Sequence, residues 1–185
     1  MIARPLAAVA AAATLVLAAP SAHADVDRFS DPRGDAERLP RMSAESSADV
    51  TSTVGRHADG RMTVTSEVTD LTASNTLLRV QLATSEGPYF VQAGGRGERS
   101  SVLLYDEQFE LVDCPGLRGG LRPARDVLSV SVPRPCLERP AWIRFGAATA
   151  TFTAEGSSYW ADDARRRGLR ADGTFTVGRT RLRHN

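Results

Sequence analysis

The chain alternates apolar and polar residues with a period of two in several separate segments. Residues 62–68, 78–82 and 128–132 follow this pattern, and residues 50–54 repeat it with Val50, Ser52 and Val54 as the expected inward set. Successive side chains of a β-strand point to opposite faces of its sheet, so this alternation predicts strands with one buried face. No segment sustains the longer period of an amphipathic helix.

Turn residues separate these segments. Asp59 and Gly60 form the strongest short-range hairpin signal in the chain, and the glycines within residues 94–97 predict a second hairpin. Turn signals at roughly 8–12-residue spacing predict an all-β fold, an antiparallel β-sandwich of roughly eight to nine short strands. Further strands are expected at 89–93, 102–105, 109–112, 142–145 and 147–154, and at most one short helix, near the C-terminus, at 158–167.

The first 24 residues have the three-part pattern of a cleavable secretory signal peptide. Arg4 precedes an apolar run at 6–19, and Ala22 and Ala24 supply the small–any–small cleavage pattern. A run of about 14 residues is too short to cross a bilayer core of ~30 Å as a helix. We therefore expect cleavage near Ala24 and a secreted, extracellular bacterial protein, rather than a retained membrane anchor.

The predicted organisation has four regions. They are the signal peptide at 1–24, an extended polar lead-in at 25–47, a β-sandwich domain at 48–168 and a basic C-terminal tail at 169–185. The lead-in is charged and lacks periodicity, which is why it is not expected to pack. The 161 residues after Ala24 suffice for one domain.

All 23 basic residues are arginine. Schiff-base catalysis, pyridoxal phosphate attachment and a P-loop each need a lysine amine, so these mechanisms are excluded. After signal cleavage 22 arginines balance 22 acidic residues, which gives no reason to expect nucleic acid or an anionic membrane as a partner. The arginines concentrated after residue 164 are expected to form a solvated tail, with contact to acidic envelope polymers as the alternative.

Two cysteines, Cys114 and Cys136, are present. An exported chain meets an oxidising environment, so we expect a disulfide bond between them. It would close a loop of about 20 residues and stabilise the fold by ~3 kcal/mol. A cysteine nucleophile or half of a metal site is the functional alternative.

No catalytic residue is predicted. His57 is the candidate general base, since His23 leaves with the signal peptide and His184 is next to last. We expect His57 to be exposed beside the hairpin turn, and no G-x-S-x-G segment presents a serine to it. Carboxylate catalysis needs two acids across a cleft, which the sequence does not place. The acids of suitable type are Asp106, Glu107, Glu110, Asp162 and Asp163.

No metal site or cofactor is predicted, although calcium stays open because hard oxygen ligands suit it. Neither of two acidic groups has the spacing of an EF-hand loop. Transition metals are not expected, since histidine and thiolate ligands are lacking. The two groups are Asp25, Asp27, Asp31 and Asp35 in the lead-in, and the pair Asp162 and Asp163.

One aromatic group is a candidate ligand platform. Aromatic faces stack on sugar rings, while neighbouring carboxylates accept hydrogen bonds from sugar hydroxyls. The alternative is that both tryptophans fill the sandwich core. The candidate residues are Trp142, Tyr159, Trp160, Asp162 and Asp163.

Several segments occur together in a familiar combination. They are the export signal, DPRGD at 31–35, TDL at 69–71, and CP at 114–115 with VSVPRPCL at 130–137. The combination resembles small secreted β-sandwich proteins of unknown function from high-GC Gram-positive bacteria. This resemblance implies the sandwich and the disulfide, and it carries no catalytic or binding residue to this chain.

The expected function is that of a secreted, non-catalytic binding or interaction module for cell-envelope or environmental carbohydrate. It follows from the missing catalytic groups, the sandwich pattern and the exported location, with fold analogy contributing a part. Two alternatives stay open. One is a small secreted hydrolase that uses paired carboxylates or His57, and the other is a structural or inhibitory partner of another exported protein.

Overall fold

The structure is a computed structural model that describes residues 25–39, 46–58, 60–71, 75–96, 99–152, 159–167 and 175–183. The predicted signal peptide, Asp59 and His184 lie outside the described residues. No helix in the described ranges is both long enough and apolar enough to cross a membrane. Short 3₁₀ helices form at Ser46–Ala48, Pro123–Arg125 and Arg134–Leu137. The strands in these ranges are β1 (Asp25–Ser30), β2 (Glu37–Leu39), β3 (Val50–Ala58), β4 (Arg61–Val68), β5 (Thr76–Thr84), β6 (Pro88–Arg96), β7 (Arg99–Tyr105), β8 (Arg118–Arg122), β9 (Val127–Pro133), β10 (Trp142–Phe152), β11 (Tyr159–Asp163) and β12 (Leu182–Arg183).

The strands form two antiparallel sheets, which confirms the predicted all-β sandwich. The first sheet has five strands in the order β1-β3-β4-β9-β8. The second has seven, in the order β2-β11-β10-β5-β6-β7 with β12 paired to β10. Apolar side chains from both sheets form one buried cluster, to which Met62 and Val64 contribute from the first sheet and Leu78 and Val80 from the second. Burial of these side chains between the sheets is the main stabilising term of the fold.

The period-two segments bury the faces that were predicted for them. In β4 the residues Met62, Val64, Ser66 and Val68 all face inward, and their polar neighbours face outward. The segments in β5 and β9 do the same. Both predicted hairpins, β3–β4 and β6–β7, are present as antiparallel pairs.

Strand β3 buries a different set of residues from the predicted one. A β-bulge interrupts its pairing with β4 between Val50 and Ser52, and an extra residue in a strand shifts the alternation of side chains. Beyond the bulge Thr53, Gly55 and His57 face inward. The prediction that His57 is exposed is therefore wrong, because this residue is fully buried.

Two local predictions are also wrong. Residues 159–163 of the predicted helix form strand β11, followed by a turn at 164–167. The predicted strand at 109–112 belongs to a turn that meets β7 through a single bridge between Tyr105 and Leu111. Short segments have weak preferences of their own, so the backbone partners that β10 and β2 offer to β11 decide its conformation.

Segments predicted to lie outside the sandwich contribute strands to it. Strand β1 pairs with β3 at an edge of the first sheet, and β2 pairs with β11 at an edge of the second. Strand β12, from the predicted tail, pairs with β10 and places Leu182 in the core. The packed region therefore extends beyond the predicted 48–168 segment at both ends.

The predicted disulfide between Cys114 and Cys136 is confirmed. It joins the connection that follows β7 to the 3₁₀ helix that follows β9, and the two Cα atoms are 5.5 Å apart. Both cysteines are partly buried against the core. The bond therefore ties the two sheets together through their connecting segments.

Candidate functional site

The outer face of the second sheet carries a groove. Its floor comes from β5, β6 and β7, where Gln81 lies opposite Phe90 and Phe90 lies opposite Tyr105. Arg79 and Gln92 pair in the next row of the same face. These side chains point outward because they alternate along their strands with core residues. Strand pairing alone therefore assembles the floor.

A tight turn after β7 forms one wall of the groove. The carboxylate of Asp106 accepts hydrogen bonds from the backbone N–H groups of Gln108 (3.0 Å) and Glu110 (2.9 Å). Phe109 has a φ of +61°, a conformation that few residues other than glycine adopt. Its ring stacks on Phe90 with the centroids 4.6 Å apart, yet Phe109 is 67 % exposed. The turn therefore presents an aromatic side chain at the edge of the groove.

The segment 175–178 forms the opposite wall. Thr176 is held by Asp163, whose Oδ2 accepts hydrogen bonds from the N–H and the hydroxyl of Thr176, both at 2.8 Å. The segment passes over β10 at Gly146, where a Cβ atom would lie 2.9 Å from the carbonyl carbon of Thr176. Glycine is needed there for the close approach of two backbones. This contact places Phe175 against the groove.

The groove combines aromatic and polar surface. Its volume is about 350 Å³, which lies within the range of small-molecule sites of roughly 300–1,000 Å³. Phenylalanine and tyrosine rings supply flat apolar faces, while Arg79, Gln81 and Gln92 supply hydrogen-bond donors and amide acceptors. Such a surface suits a ligand that has apolar faces and polar edges.

Three carboxylates meet at a second place, away from the groove residues. Asp31 and Asp35 lie in the connection between β1 and β2, and Asp162 lies in β11. One oxygen from each carboxylate lies within 4.8 Å of the oxygens from the other two. Asp162 is fully buried, and Asp31 and Asp35 are partly buried. We refer to these three residues as the acidic cluster.

A fourth acid, Asp49, holds the connection between β1 and β2 in place. Its Oδ1 accepts hydrogen bonds from the backbone N–H groups of Gly34 (2.7 Å) and Asp35 (3.3 Å). Its Oδ2 accepts a hydrogen bond from the hydroxyl of Thr69 at 3.0 Å. Asp49 thus has a structural role, and it orders the backbone that carries two members of the acidic cluster.

The acidic cluster is electrostatically strained. Burial raises the pKa of Asp162 to about 8, although the hydrogen bond that its Oδ2 accepts from the Val50 N–H acts in the opposite direction. Burial also raises the pKa of Asp31 to about 7, with the charge of Asp35 adding to the effect and a hydrogen bond with Asp162 opposing it. Carboxylates this close need a shared proton or a cation between them.

The structure separates Trp142 from the other members of the predicted aromatic platform, which lie together on β11. Trp142 begins β10, whereas Trp160 pairs with Thr151 near the other end of that strand. Positions 142 and 151 are nine residues apart, which corresponds to about 30 Å of strand. Trp142 is partly buried, and the guanidinium groups of Arg144 and Arg181 lie 5.4 and 4.6 Å from its ring centroid. Tryptophan 142 therefore stacks with arginines and is remote from β11.

The acids considered for carboxylate catalysis lie in two separate places. Asp106, Glu107 and Glu110 belong to the turn that carries Phe109, and Asp162 and Asp163 belong to β11. The two acids of β11 are fully buried and accept hydrogen bonds from backbone N–H groups. Their carboxylates therefore cannot contact the hydroxyl groups of an external ligand.

His57 also lies inside the protein. Its Nδ1 is 3.2 Å from the carbonyl oxygen of Leu182 in β12, and none of its surface is exposed. A general base must reach a bound substrate, which a fully buried ring cannot do without movement of the strands around it. The contact instead joins β3 to β12, across the two sheets.

Two of the acids considered for calcium have other partners. The carboxylate of Asp25 accepts a hydrogen bond from the backbone N–H of Arg183 at 2.6 Å. Asp27 forms an ion pair with Arg165, whose guanidinium group lies 3.7 Å from the ring centroid of Phe29. Arg165 is therefore a packed residue and does not belong to a solvated tail.

Sequence reasoning missed the groove residues Phe90, Phe109 and Phe175. One available signal was Asp106, because an aspartate that begins a turn bonds the backbone two residues later. A turn that begins at Asp106 would be predicted to expose residues 109–112, in place of the strand predicted there. The approach of Phe175 to the groove had no local signal.

Three comparisons with known proteins give no match. No protein-family model, no curated protein and no solved structure matches the chain. The resemblance inferred from the sequence therefore stays a prediction. The groove and the acidic cluster are therefore the features of the fold that bear on function.

Proposed function

We propose that this protein is an exported, non-catalytic binding module whose ligand occupies the groove between Phe109 and Phe175. The single observation that carries the proposal is the exposed ring of Phe109, which is stacked on Phe90 and held by a hydrogen-bonded turn. A large aromatic side chain held rigidly in water gives the folded protein little stability. The same arrangement lowers the entropy lost when a ligand stacks on the ring.

The ligand class that fits the groove is carbohydrate from the cell envelope or the environment. The apolar C–H faces of a sugar ring can stack on Phe109, and its hydroxyl groups can bond to the polar side chains of the floor. Gln81 and Gln92 both donate and accept hydrogen bonds, as sugar hydroxyls do. Arg79 adds a fixed positive charge, which favours sugars that carry a carboxylate.

Burial of the two acids of β11 and of His57 favours binding over the hydrolase alternative. Asp162, Asp163 and His57 are all fully buried, and each has a structural contact. The carboxylate of Asp106 is engaged by the backbone of its own turn. A glycosidase needs two carboxylates that reach opposite sides of one sugar bond, and these residues do not supply such a pair.

A second candidate function is binding to another exported protein. It is favoured by Leu111, which is 65 % exposed and lies two residues after Phe109 on the same turn. Neighbouring exposed apolar side chains of this kind are typical of protein–protein contacts. The two candidates differ in whether Leu111 contributes, and this difference decides the design of the binding test.

Export itself predicts a defined mature end. We expect the protein recovered from the culture medium of a bacterial host to begin at Asp25, because the cleavage pattern ends at Ala24. Intact-mass measurement of the secreted protein checks this directly. Retention of the first 24 residues, or absence of the protein from the medium, would contradict export by this signal.

The binding proposal predicts that Phe109→Ala weakens carbohydrate binding about tenfold, which corresponds to ~1.4 kcal/mol. The substitution removes the stacking face and leaves the floor of the groove unchanged. Binding is measured by co-sedimentation of the secreted protein with insoluble peptidoglycan, cellulose and chitin, each over a range of polysaccharide concentrations. We expect at least one of them to retain the parent protein.

Two further variants test whether polysaccharide binding depends on the Phe109 ring. Phe109→Trp keeps a stacking face and is expected to bind as the parent does, while Leu111→Ala is the matched control on the same turn. Equal binding by the parent and Phe109→Ala, or no binding to any of the three polysaccharides, would contradict the carbohydrate proposal. Equal losses of polysaccharide binding in Leu111→Ala and Phe109→Ala would contradict a specific role for the Phe109 ring.

A further inference from the structure

We propose that Asp31, Asp35 and Asp162 form a calcium site. None of its residues lines the groove. The site would join the connection between β1 and β2 to strand β11. Since β1 belongs to the first sheet and β2 to the second, a bound ion would fasten the segment that crosses between the sheets.

The separation of the carboxylate oxygens fits calcium. Oxygen ligands of Ca²⁺ lie at about 2.3–2.6 Å from the ion, so two ligands on opposite sides of it are up to ~5 Å apart. The three oxygens lie within 4.8 Å of one another, which satisfies this limit. Magnesium holds its ligands at about 2.0–2.1 Å and therefore requires oxygens no more than ~4.2 Å apart. The upper limit on these separations is therefore compatible with calcium, and magnesium is compared directly in the test below.

A second observation points to a ligand in the same place. The side chain of Asp162 is fully buried, and its Oδ2 accepts a hydrogen bond from the Val50 N–H at 2.8 Å. Its Oδ1 is buried as well, and no described residue donates a hydrogen bond to it. The same holds for Oδ2 of Asp31. A buried carboxylate oxygen without a donor is costly, and a cation between these acids removes that cost.

The chemistry of the donors selects the kind of metal. All three are carboxylates, which are hard oxygen ligands, and no histidine or cysteine belongs to the cluster. Zinc and other transition metals prefer nitrogen and sulfur ligands, so they fit this set poorly. Three carboxylates also outweigh the charge of one divalent ion, a ratio that is usual in calcium sites.

Binding would cross-link parts of the chain that are far apart in sequence. Asp35 and Asp162 are separated by 127 positions, and Asp49 already orders the backbone at Gly34 and Asp35. An ion held by both segments resists their separation on unfolding. Calcium is therefore expected to act on stability and on local opening of the connection, and the groove residues are not required for either effect.

The test compares the chelator-treated protein with and without 10 mM CaCl₂. At a Kd of about 0.1–1 mM, which is usual for extracellular calcium modules, we expect the melting temperature to rise by roughly 3–10 °C. Isothermal titration with CaCl₂ should show one site. Arg33 lies exposed between Asp31 and Asp35, so tryptic cleavage after Arg33 should slow roughly tenfold or more.

Variants separate a metal site from a merely structural cluster. Asp162→Asn and Asp31→Asn are each expected to abolish the calcium-dependent rise, and Asp113→Asn, at an exposed position, is the matched control that keeps it. If Asp162→Asn does not fold, Asp31→Asn still tests the calcium site, because the side chain at position 31 is less buried and its substitution disturbs the core less. In chelator Asp31→Asn should melt no lower than the parent, since an asparagine at position 31 does not repel the Asp35 carboxylate.

Several outcomes would overturn the proposal. One is a parent protein whose melting temperature and tryptic cleavage do not respond to 10 mM CaCl₂. Another is a calcium response in Asp31→Asn equal to that of the parent. A third is an equal response to 10 mM MgCl₂, which would overturn the assignment to calcium. The expected result is a calcium-specific response that requires both Asp31 and Asp162 and survives in Asp113→Asn and Phe109→Ala.

Discussion

Gly55→Ala is expected to lower the free energy of unfolding by about 3 kcal/mol. Gly55 faces inward from β3, and a Cβ atom there would lie 2.5 Å from Cζ and 2.8 Å from Cδ1 of the Phe145 ring. Phe145 is fully buried and packs against Phe29, whose ring centroid is 5.7 Å away, and against the Arg165 guanidinium group. Any shift of this buried ring would therefore disturb its packed neighbours. Chemical denaturation of the parent and the variant measures the loss.

A second-site substitution makes this prediction specific. Phe145→Leu shortens the side chain that a Cβ at position 55 would strike, so the double variant Gly55→Ala/Phe145→Leu should be more stable than the sum of the two single changes by about 1–2 kcal/mol. Gly120→Ala is the control, since a Cβ at position 120 meets nothing within 4 Å. It should change stability by less than ~1 kcal/mol. Additive single effects would refute the proposed contact between the two sheets.

Replacing both cysteines by alanine is expected to cost about 3 kcal/mol. The bond between Cys114 and Cys136 spans 22 residues of sequence, and its loss returns that loop's freedom to the unfolded chain. Because the two cysteines also pack against the core, alanine keeps part of that contact, whereas serine would add a hydroxyl. Chemical denaturation of the parent and the double variant gives the difference directly.

A reductant supplies the internal control for this prediction. Dithiothreitol should lower the stability of the parent by a similar ~3 kcal/mol and leave the double alanine variant unchanged. Binding to polysaccharide should persist in the variant under conditions where it stays folded, since neither cysteine lines the groove. A parent that is insensitive to reductant while fully reduced by mass measurement would contradict a stabilising role for the bond.

The two sites differ in how far the sequence could predict them. Asp31, Asp35 and Asp162 were all candidates by residue type, but they belonged to two groups because 127 positions separate Asp35 from Asp162. Only the pairing of β11 beside β2 brings these segments together. The groove was missed more completely. The sequence predicts a strand at Phe109, the principal residue of the groove. A short apolar segment has the same local pattern whether it forms a strand or a turn that exposes one aromatic residue.

Arg165 and His57 illustrate the same limit for single residues. Each was expected at the surface from its local surroundings, and each is packed in the folded protein. Arg165 pairs with Asp27 and stacks on Phe29, and His57 contacts the Leu182 carbonyl. Their partners come from distant parts of the chain. The sequence segments that surround Arg165 and His57 do not contain the partners that determine their roles.

Features that depend on near neighbours could be predicted from local sequence. The inward faces of β4, β5 and β9, the two hairpins, and the pairing of the only two cysteines follow from alternation, turn residues and cysteine count. Side-chain alternation and turn preferences act over a few residues, and two cysteines allow only one disulfide within the chain. For this reason the all-β sandwich and its disulfide were predictable before any coordinates.

The inward face of β3, strand β11, the acidic cluster and the groove depend instead on contacts between distant segments. The bulge after Val50 reversed the inward set of β3, because one extra residue moves every later side chain to the opposite face. Residues 159–163, which local sequence predicts as part of a helix, form β11 because they pair with β10 and β2. This pairing also places Asp162 beside Asp31 and Asp35. The fold also brings Phe109 and Phe175, which are 66 positions apart in the sequence, to the lining of one groove. Each of these outcomes depends on contacts between distant segments, whose energies local sequence does not encode.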